Sequence, residues 1–316
     1  MTDETVPWRQ VAAFCALVLV LPWGLLAPFH LGLWAFEGIT AAVTAMVMMW
    51  VPTLATVILL LTADRSKDWA RRTGVELRGI DAGRLVKFLA VAAAVPAVAS
   101  YASPFVAAAL GQVQLDLVEF SGLRELMEMQ LEASGASFDI EALGVPLWVI
   151  VLASPVNVLF GGALNVVLGA FGEELGWRGW LLPKLLPLGV WPALLAVGAL
   201  WGIWHAPVIL LGHNYPDAPV LGLLLFVPFC MIWGVLHGWV RLATGSVWPS
   251  ALMHGTLNAS AGFFMMVVAA GQDINTVWMT PVGLSGMLMP LGMVAVLVWW
   301  SLAGPGLRLA PSRAGV

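Results

Sequence analysis

Two adjacent carboxylates, Glu173 and Glu174, follow a stretch of chain that is otherwise suited to lipid. The preceding residues 147–171 contain no charged side chain. A carboxylate at membrane depth costs roughly 2.5–3.5 kcal/mol on insertion scales. Two neighbouring acids in such a chain therefore suggest chemistry. The alternative is that the pair lies in the headgroup region, where Arg178 neutralises one of the acids.

The spacing around this pair predicts different tasks for the two acids. Arg178 follows Glu174 by four residues, so the two side chains share one face of a helix and can form an ion pair. Glu173 points about 100° away around the same helix. We therefore expect the guanidinium to hold Glu174, while Glu173 remains free to take a proton.

Two further polar clusters occur in otherwise apolar segments. His205 follows Trp201 by four residues, and Ser250, His254 and Asn258 are spaced by four so that they line one helix face. Such a stripe predicts either hydrogen bonds between helices, worth on the order of 1 kcal/mol each, or donors aimed at a reacting oxygen. A single histidine such as His205 is also often a packing residue, so neither cluster is decisive alone.

The composition identifies the scaffold that must position these residues. The chain is 60% hydrophobic and 10% charged, with a mean hydropathy of +0.92, whereas soluble domains carry about 25% charged residues. We expect an all-α polytopic membrane protein with a bundle of about eight transmembrane helices. The predicted spans are residues 10–29, 38–62, 86–110, 146–171, 190–211, 219–240, 247–270 and 281–303.

The charged residues predict an orientation. Half of the 14 Lys and Arg residues lie in segment 63–87, and the positive-inside rule places this loop and both termini in the cytoplasm. The acidic segment 112–145 would lie outside. Its leucines have helical spacings, so we expect a short amphipathic helix there. Its acidic face would be solvated, and a substrate-gating lid is the alternative.

The chain divides into three parts within one integral membrane domain. Residues 1–145 would carry the first three spans, residues 146–270 the polar core, and residues 271–316 the last span and a short tail. A cleavable signal peptide is not expected, because more spans follow the first apolar run without a clear cleavage site. Cys15 and Cys230 are expected to be packing residues, and His30 and His213 to lie in outer loops without a catalytic role. His237 is expected to be structural or interfacial, near a helix end.

Taken together, the polar clusters resemble one family. The order Glu-Glu-x-x-x-Arg, aromatic-x-x-x-His and His-x-x-x-Asn, on three predicted helices, is similar to the CPBP family of intramembrane proteases. That family includes the CAAX-processing Rce1-type endopeptidases. The resemblance covers about residues 146–270. One position departs from the usual pattern, because Trp201 stands where phenylalanine is usual.

The resemblance implies an intramembrane endopeptidase that acts on membrane-associated, prenylated or CAAX-like proteins or peptides. Peptide hydrolysis needs an activated water, a stabilised oxyanion and a proton for the leaving amine. By resemblance, Glu173 activates the water with His205 as its partner. His254 and Asn258 then stabilise the oxyanion.

The resemblance does not decide whether the mechanism uses a metal ion. Glu173, His205 and His254 have the composition of a His2Glu zinc site with water in the fourth position, while a glutamate mechanism without metal uses the same atoms. Glu174 and Arg178 would fix the helix end and orient Glu173 in either case. The His-Glu-x-x-His signature of zinc proteases is absent from the sequence.

Two other functions remain open from the sequence. Intramembrane Glu and His residues also serve in proton relays, so an ion-coupled transporter is one alternative, although no inverted repeat is evident. A catalytically silent scaffold or immunity protein is the other. We expect a multi-pass protein, in the plasma membrane if the source is prokaryotic. Its partners would be lipids and a membrane-associated substrate rather than nucleic acid, and the oligomeric state stays open.

The predicted spans contain one conflict of depth. Glu173 would lie at the end of the fourth span, whereas His205 would lie about 22 Å into the fifth. The two could meet only if the fourth helix entered late, the fifth were tilted, or residues 180–190 were already embedded. We therefore expect the span boundaries to be wrong here rather than the motif.

Overall fold

The computed structural model describes residues 5–65, 67–134 and 144–303, and within these ranges the protein is a helical bundle. Its helices are labelled in chain order. They are α1 (Trp8–His30), α2 (Gly38–Asp64), α3 (Trp69–Arg72), α4 (Ala82–Ala109), α5 (Ser121–Ser134), α6 (Leu147–Leu188), α7 (Val190–Ile209), α8 (Pro219–Thr244), α9 (Trp248–Ser260), α10 (Phe263–Val267) and α11 (Leu284–Ala303).

Seven of the described helices are long and apolar enough to cross a membrane, so the all-α, multi-pass membrane fold is confirmed. They are α1, α2, α4, α6, α7, α8 and α11. The predicted number of about eight holds as an approximation. The cytoplasmic placement of both termini stays a prediction.

Within the described ranges, the structure has seven long helices rather than eight because predicted span 247–270 folds as the short helices α9 and α10. The 13 residues of α9 rise about 20 Å, whereas a bilayer core is about 30 Å thick. Buried polar side chains explain why this helix lies within the bundle, since each needs a protein partner. They are Ser250, His254 and Ser260, each of which is hydrogen-bonded to another helix.

The boundary of the fourth span was wrong, as the conflict of depth suggested. Helix α6 continues for 42 residues to Leu188, with wider π-helical turns at Val166–Ala170 and Leu175–Leu181. Trp180, Leu181 and Leu182 are all buried. The two acids therefore lie well inside a long helix rather than at its end.

Close helix contacts hold this part of α6 in place. A Cβ on Gly172 would lie 2.8 Å from the carbonyl oxygen of Met49, so only glycine lets α2 approach so closely there. Helices α7 and α8 meet in the same way, because a Cβ on Gly234 would lie 2.9 Å from the Cα of Gly198.

One end of the bundle gathers much of the basic segment 63–87. Lys184 of α6 forms an ion pair with Asp64 at 2.9 Å. Arg241 of α8 donates to the carbonyl oxygen of Arg72 at 3.0 Å. We call this the basic end. At the other end, Leu115 and Val268 form an isolated β-bridge that ties the loop before α5 to the end of α10.

The amphipathic helix predicted in segment 112–145 is confirmed as α5. Leu123 on its inner face is buried against Phe120 and Val267. The predicted residues Asp139 and Glu141 lie outside the described part of the chain. The solvated acidic face of this segment and the alternative of a substrate-gating lid both stay predictions.

Candidate active site

Three helices bring the predicted acid and base residues together in the interior of the bundle. Helix α6 supplies Glu173, Glu174 and Arg178, α7 supplies Trp201, and α9 supplies His254. The two glutamates and the arginine expose at most 1% of their surface. We call these five residues the acid cluster. Charges buried to this degree require paired partners.

Glu174 is fixed by two donors. Its Oε1 accepts a hydrogen bond from Arg178 Nη1 at 2.7 Å and another from His254 Nδ1–H at 3.0 Å. The ion pair between positions four apart is the one that the spacing predicted. It also joins α6 to α9 through His254, so Glu174 serves as the anchor of the cluster.

Glu173 has a different environment. Its Oε2 accepts a hydrogen bond from Trp201 Nε1–H at 2.6 Å, and its Oε1 lies 3.9 Å from His254 Nε2. Among the described residues Glu173 forms no ion pair with Arg178, whose guanidinium lies 4.5 Å from the centroid of the Trp201 ring. The geometry therefore has the predicted difference between the two acids, because Arg178 pairs with Glu174 and not with Glu173.

The charges of the cluster can balance without any further ion. Two carboxylates and the guanidinium of Arg178 sum to −1, and a protonated His254 brings the sum to zero. His254 can carry that proton because its Nδ1–H already donates to Glu174 and its Nε2 faces Glu173. A balanced group of this kind limits the cost of burying each charge.

His205 lies beside the cluster rather than within it. Its Nδ1–H donates to the carbonyl oxygen of Trp201 at 2.8 Å, and its ring packs edge-on against Trp204 and Phe226. The described structure contains no hydrogen bond between His205 and Glu173. The two are linked through Trp201, whose backbone holds the imidazole and whose indole holds the carboxylate.

Asn258 also lies outside the cluster. It is exposed, and its Nδ2 donates to Oδ1 of Asn165 on α6 at 3.0 Å. It follows His254 by one turn of α9 and lines an open pocket of about 270 Å³. Ser250, on the same stripe, donates to the carbonyl oxygen of His237 at 2.9 Å. Ser250 therefore joins α9 to α8, as expected of a hydrogen bond between helices.

The group of side chains best placed for a metal differs from the predicted one. Glu174, His237 and His254 have ligand atoms within 4.8 Å of one another, and all three are buried. The predicted set was Glu173, His205 and His254. The described residues do not bring that set together in the same way. His254 alone is common to both.

His237 is not among the residues that the sequence predicts for the site, because it is expected to be structural or interfacial. Its Nδ1–H donates to the carbonyl oxygen of Trp233 at 2.7 Å, and its buried Nε2 has no hydrogen-bond partner. A signal was present in the sequence, because Trp233 and His237 repeat the spacing of Trp201 and His205. The two pairs also share the same hydrogen bond from imidazole to backbone.

Comparison with known families agrees with this arrangement. Residues 155–260 match the family model of the type II CAAX prenyl endopeptidase Rce1-like proteins. The predicted resemblance is confirmed. This Rce1-like segment covers about a third of the chain, begins within α6 and ends with α9. A search of curated proteins found no matching relative.

The Rce1-like segment contains the acid cluster, His205, His237 and Asn258. The helices that precede it and the final helix α11 lie outside the match. This family implies an integral membrane protease of the CAAX type. The chemistry of the site can therefore be considered as peptide hydrolysis within a membrane.

Proposed function

We propose that this protein is an intramembrane endopeptidase in which Glu173 activates the attacking water. One observation carries the proposal: Glu173 is a buried carboxylate that Arg178 leaves unpaired and that faces His254 Nε2 at 3.9 Å. A water oxygen about 2.8 Å from both atoms fits within that separation. The substrates would be membrane-associated proteins or peptides, including prenylated or CAAX-like ones.

The proposed reaction is balanced by one proton that Glu173 carries. The carboxylate takes a proton from water as the oxygen attacks the carbonyl carbon of the peptide bond. It then gives this proton to the amine as the C–N bond breaks. His254 in its protonated form donates toward the developing oxyanion, and such preorganised donors act strongly in a water-poor site.

Other members of the cluster would position Glu173 without touching the substrate. The indole of Trp201 fixes one carboxylate oxygen, so the other is turned toward His254. Glu174 and Arg178 hold the imidazole of His254 in place.

The proposal keeps His205 as the partner of Glu173 and Asn258 as an oxyanion donor, although neither side chain contacts the acid cluster in the way that the sequence predicts. Asn258 lies one turn beyond His254 and lines the open pocket. It would reach a substrate that extends from the acid cluster into that pocket. His205 holds the backbone of Trp201, through which it would influence Glu173.

The test is cleavage by purified protein in lipid nanodiscs. The probe is a fluorogenic peptide with a farnesylated CAAX end. Glu173→Gln keeps the size of the side chain and an oxygen that accepts from Trp201 but loses the base, so we expect cleavage to fall by about 10²–10⁴-fold. Glu128→Gln in α5, an exposed acid far along the chain, is the matched control and should cleave normally.

Equal cleavage by wild type and Glu173→Gln would contradict the proposal. Proton-coupled uptake into sealed vesicles by both proteins, with cleavage by neither, would favour the ion-coupled carrier instead. A cellular function that survives Glu173→Gln would point to the scaffold or immunity protein.

A zinc ion is compatible with the residues present, and here we propose which residues would hold it. His237 Nε2 and Glu174 Oε2 are buried acceptors without partners, and with His254 they form a His2Glu donor set. The bond from His237 Nδ1–H to a backbone carbonyl is the kind that orients metal-binding histidines. A bound zinc would lower the pKa of its water and polarise a carbonyl.

Zinc content separates the two possible ligand sets. In the zinc form, His254 would be a neutral ligand instead of a protonated donor. If this form is the native one, elemental analysis of purified protein should find one zinc per wild-type chain, lost in His237→Ala and retained in His205→Ala. Loss in His205→Ala alone would support the set predicted from sequence. Cleavage by zinc-free protein would show that the glutamate mechanism needs no metal.

A further inference from the structure

An open pocket between α4, α6, α9 and α10 has an unusual lining. No charged residue contributes to it, yet five polar side chains do. They are Tyr101, Ser154, Asn157, Asn165 and Asn258. Val158, Phe263 and Met266 supply apolar surface between them. The pocket is therefore neutral but rich in hydrogen-bonding groups.

The polar groups of this pocket lie at membrane depth. Asn157 is ten residues inside α6, about 15 Å from its start and so about halfway through a bilayer core. It is exposed and has no hydrogen-bond partner among the described residues. An unpaired carboxamide facing hydrocarbon is costly. Such a position calls for a ligand with hydrogen-bonding groups of its own.

The carboxamides retain capacity for a ligand even where they pair with each other. Asn258 Nδ2 donates to Asn165 Oδ1, which leaves Asn258 Oδ1 as an acceptor and Asn165 Nδ2 as a donor. Asn157 offers both kinds of atom. Donors and acceptors are thus available along one wall of the pocket, from α6 to α9.

We propose that this pocket binds an extended, non-helical stretch of the substrate's peptide backbone that enters from the lipid. The inference rests on the proposed proteolytic function. An unwound peptide in a bilayer must find partners for every N–H and C=O group, and carboxamides supply both. A charged lipid headgroup finds no counter-charge here, and an isoprenoid chain would leave the amides unpaired.

The pocket and the acid cluster share two helices, α6 and α9. Asn258 follows His254 by one turn of α9, and Asn165 precedes Glu173 by about two turns of α6. Helices α6 and α9 touch beside the pocket, since a Cβ on Gly162 would lie 2.9 Å from Thr256 Oγ1. In the proposed complex, a peptide strand held along the amides would run along α6 and α9 toward Glu173 and His254.

The experiment measures binding rather than cleavage, in the Glu173→Gln protein in nanodiscs. The probes are two fluorescent transmembrane peptides of equal length, one with a central Gly-Pro segment that unwinds readily and one built of Leu and Ala. Asn157→Leu should weaken binding of the Gly-Pro peptide about 5- to 10-fold, as expected for one or two lost hydrogen bonds. Asn157 is outside the proposed catalytic group.

Val156→Leu is the matched control, because Val156 is 55% exposed on the neighbouring position of α6. It should leave the affinity for both peptides unchanged. Equal binding of both peptides, or no effect of Asn157→Leu, would overturn the proposal. So would an isoprenoid alcohol that displaces the Gly-Pro peptide from wild-type and Asn157→Leu pockets equally well, since it would assign the pocket to a lipid chain.

This result does not depend on hydrolysis, so the two proposals can fail separately. Selective binding of the Gly-Pro peptide by a protein that never cleaves would support the pocket and reject the endopeptidase. Cleavage with no effect of Asn157→Leu on the KM for a membrane peptide would do the opposite.

Discussion

Two carboxylates in different regions, Glu174 and Asp116, each accept several hydrogen bonds. In the interior, Glu174 accepts from Arg178 and His254. In the loop before α5, Asp116 accepts from three backbone N–H groups. Those groups belong to Val118, Glu119 and Ser121. The bonding pattern is similar, but the surroundings and the partners differ.

The difference decides what each carboxylate contributes. Glu174 is fully buried, so water cannot replace a lost partner, and removing Arg178 would leave an uncompensated charge. Asp116 lies near water, where solvent can take over the lost hydrogen bonds. The buried group also joins α6 to α9 across 80 residues, whereas Asp116 organises only the next five residues.

The largest effect should come from breaking the buried pair. Arg178→Met keeps much of the side chain's volume but leaves Glu174 with only His254, so we expect a loss of about 3–5 kcal/mol in the free energy of unfolding. Unfolding in mixed micelles followed by near-UV circular dichroism measures it. Arg84→Met, at an exposed position, is the control. A stability equal to that of Arg84→Met would show that the pair contributes little.

The next effect concerns Glu173 and should appear in activity rather than stability. Trp201→Phe restores the aromatic residue usual in the resembling family but removes the 2.6 Å bond to Glu173. Bonds to charged groups contribute about 1.5–3 kcal/mol, so kcat/KM should fall about 10- to 100-fold with the CAAX peptide.

Trp204→Phe is a closely matched control for Trp201→Phe. Trp204 is equally buried, but its Nε1 has no hydrogen-bond partner. The two variants should lose similar packing energy, so any excess loss of activity in Trp201→Phe measures the bond to Glu173. Equal activity in both would show that the indole bond does not position the carboxylate.

The local features of both regions could be predicted from the sequence. The four-residue spacing predicted the Glu174–Arg178 pair, and leucine spacing predicted α5. Both depend on residues within one helix, where geometry follows from separation along the chain. The composition likewise predicted a membrane bundle, because apolar runs of this length have few other uses.

The features that join different helices could not be predicted. Sequence spacing shows which face a residue occupies on its own helix but not which neighbour that face meets. His237 was therefore missed although it lies within 4.8 Å of Glu174 and His254. The pairing of Asn258 with Asn165 on another helix was likewise not predicted, and the catalytic role of Asn258 stays a prediction. The end of α6 could not be predicted for a related reason. Glu174 does not end the span because Arg178 on the same helix and His254 on α9 neutralise its charge.

The smallest effect should come from Asp116. Hydrogen bonds from Ser121, from its side chain and then its backbone, and from the backbone of Glu119 lower the pKa of this carboxyl. A pKa below the unfolded value of about 3.9 stabilises the fold above about pH 4, and this contribution fades as the pH falls further. Asp116→Ala should therefore lower stability at pH 7 by less than about 1 kcal/mol, as for exposed helix caps.

The pH dependence makes the Asp116 prediction sharp. At pH 7, hydrogen exchange of residues 117–124 should be faster in Asp116→Ala than in wild type. The difference in unfolding free energy between the two proteins should be smaller at pH 3 than at pH 7. Glu128→Gln, at an exposed position of α5, should change neither measurement. An equal loss at both pH values would mean that the charge is irrelevant. A loss as large as that of Arg178→Met would mean that water does not replace the bonds of Asp116, and the contrast with Glu174 would fail.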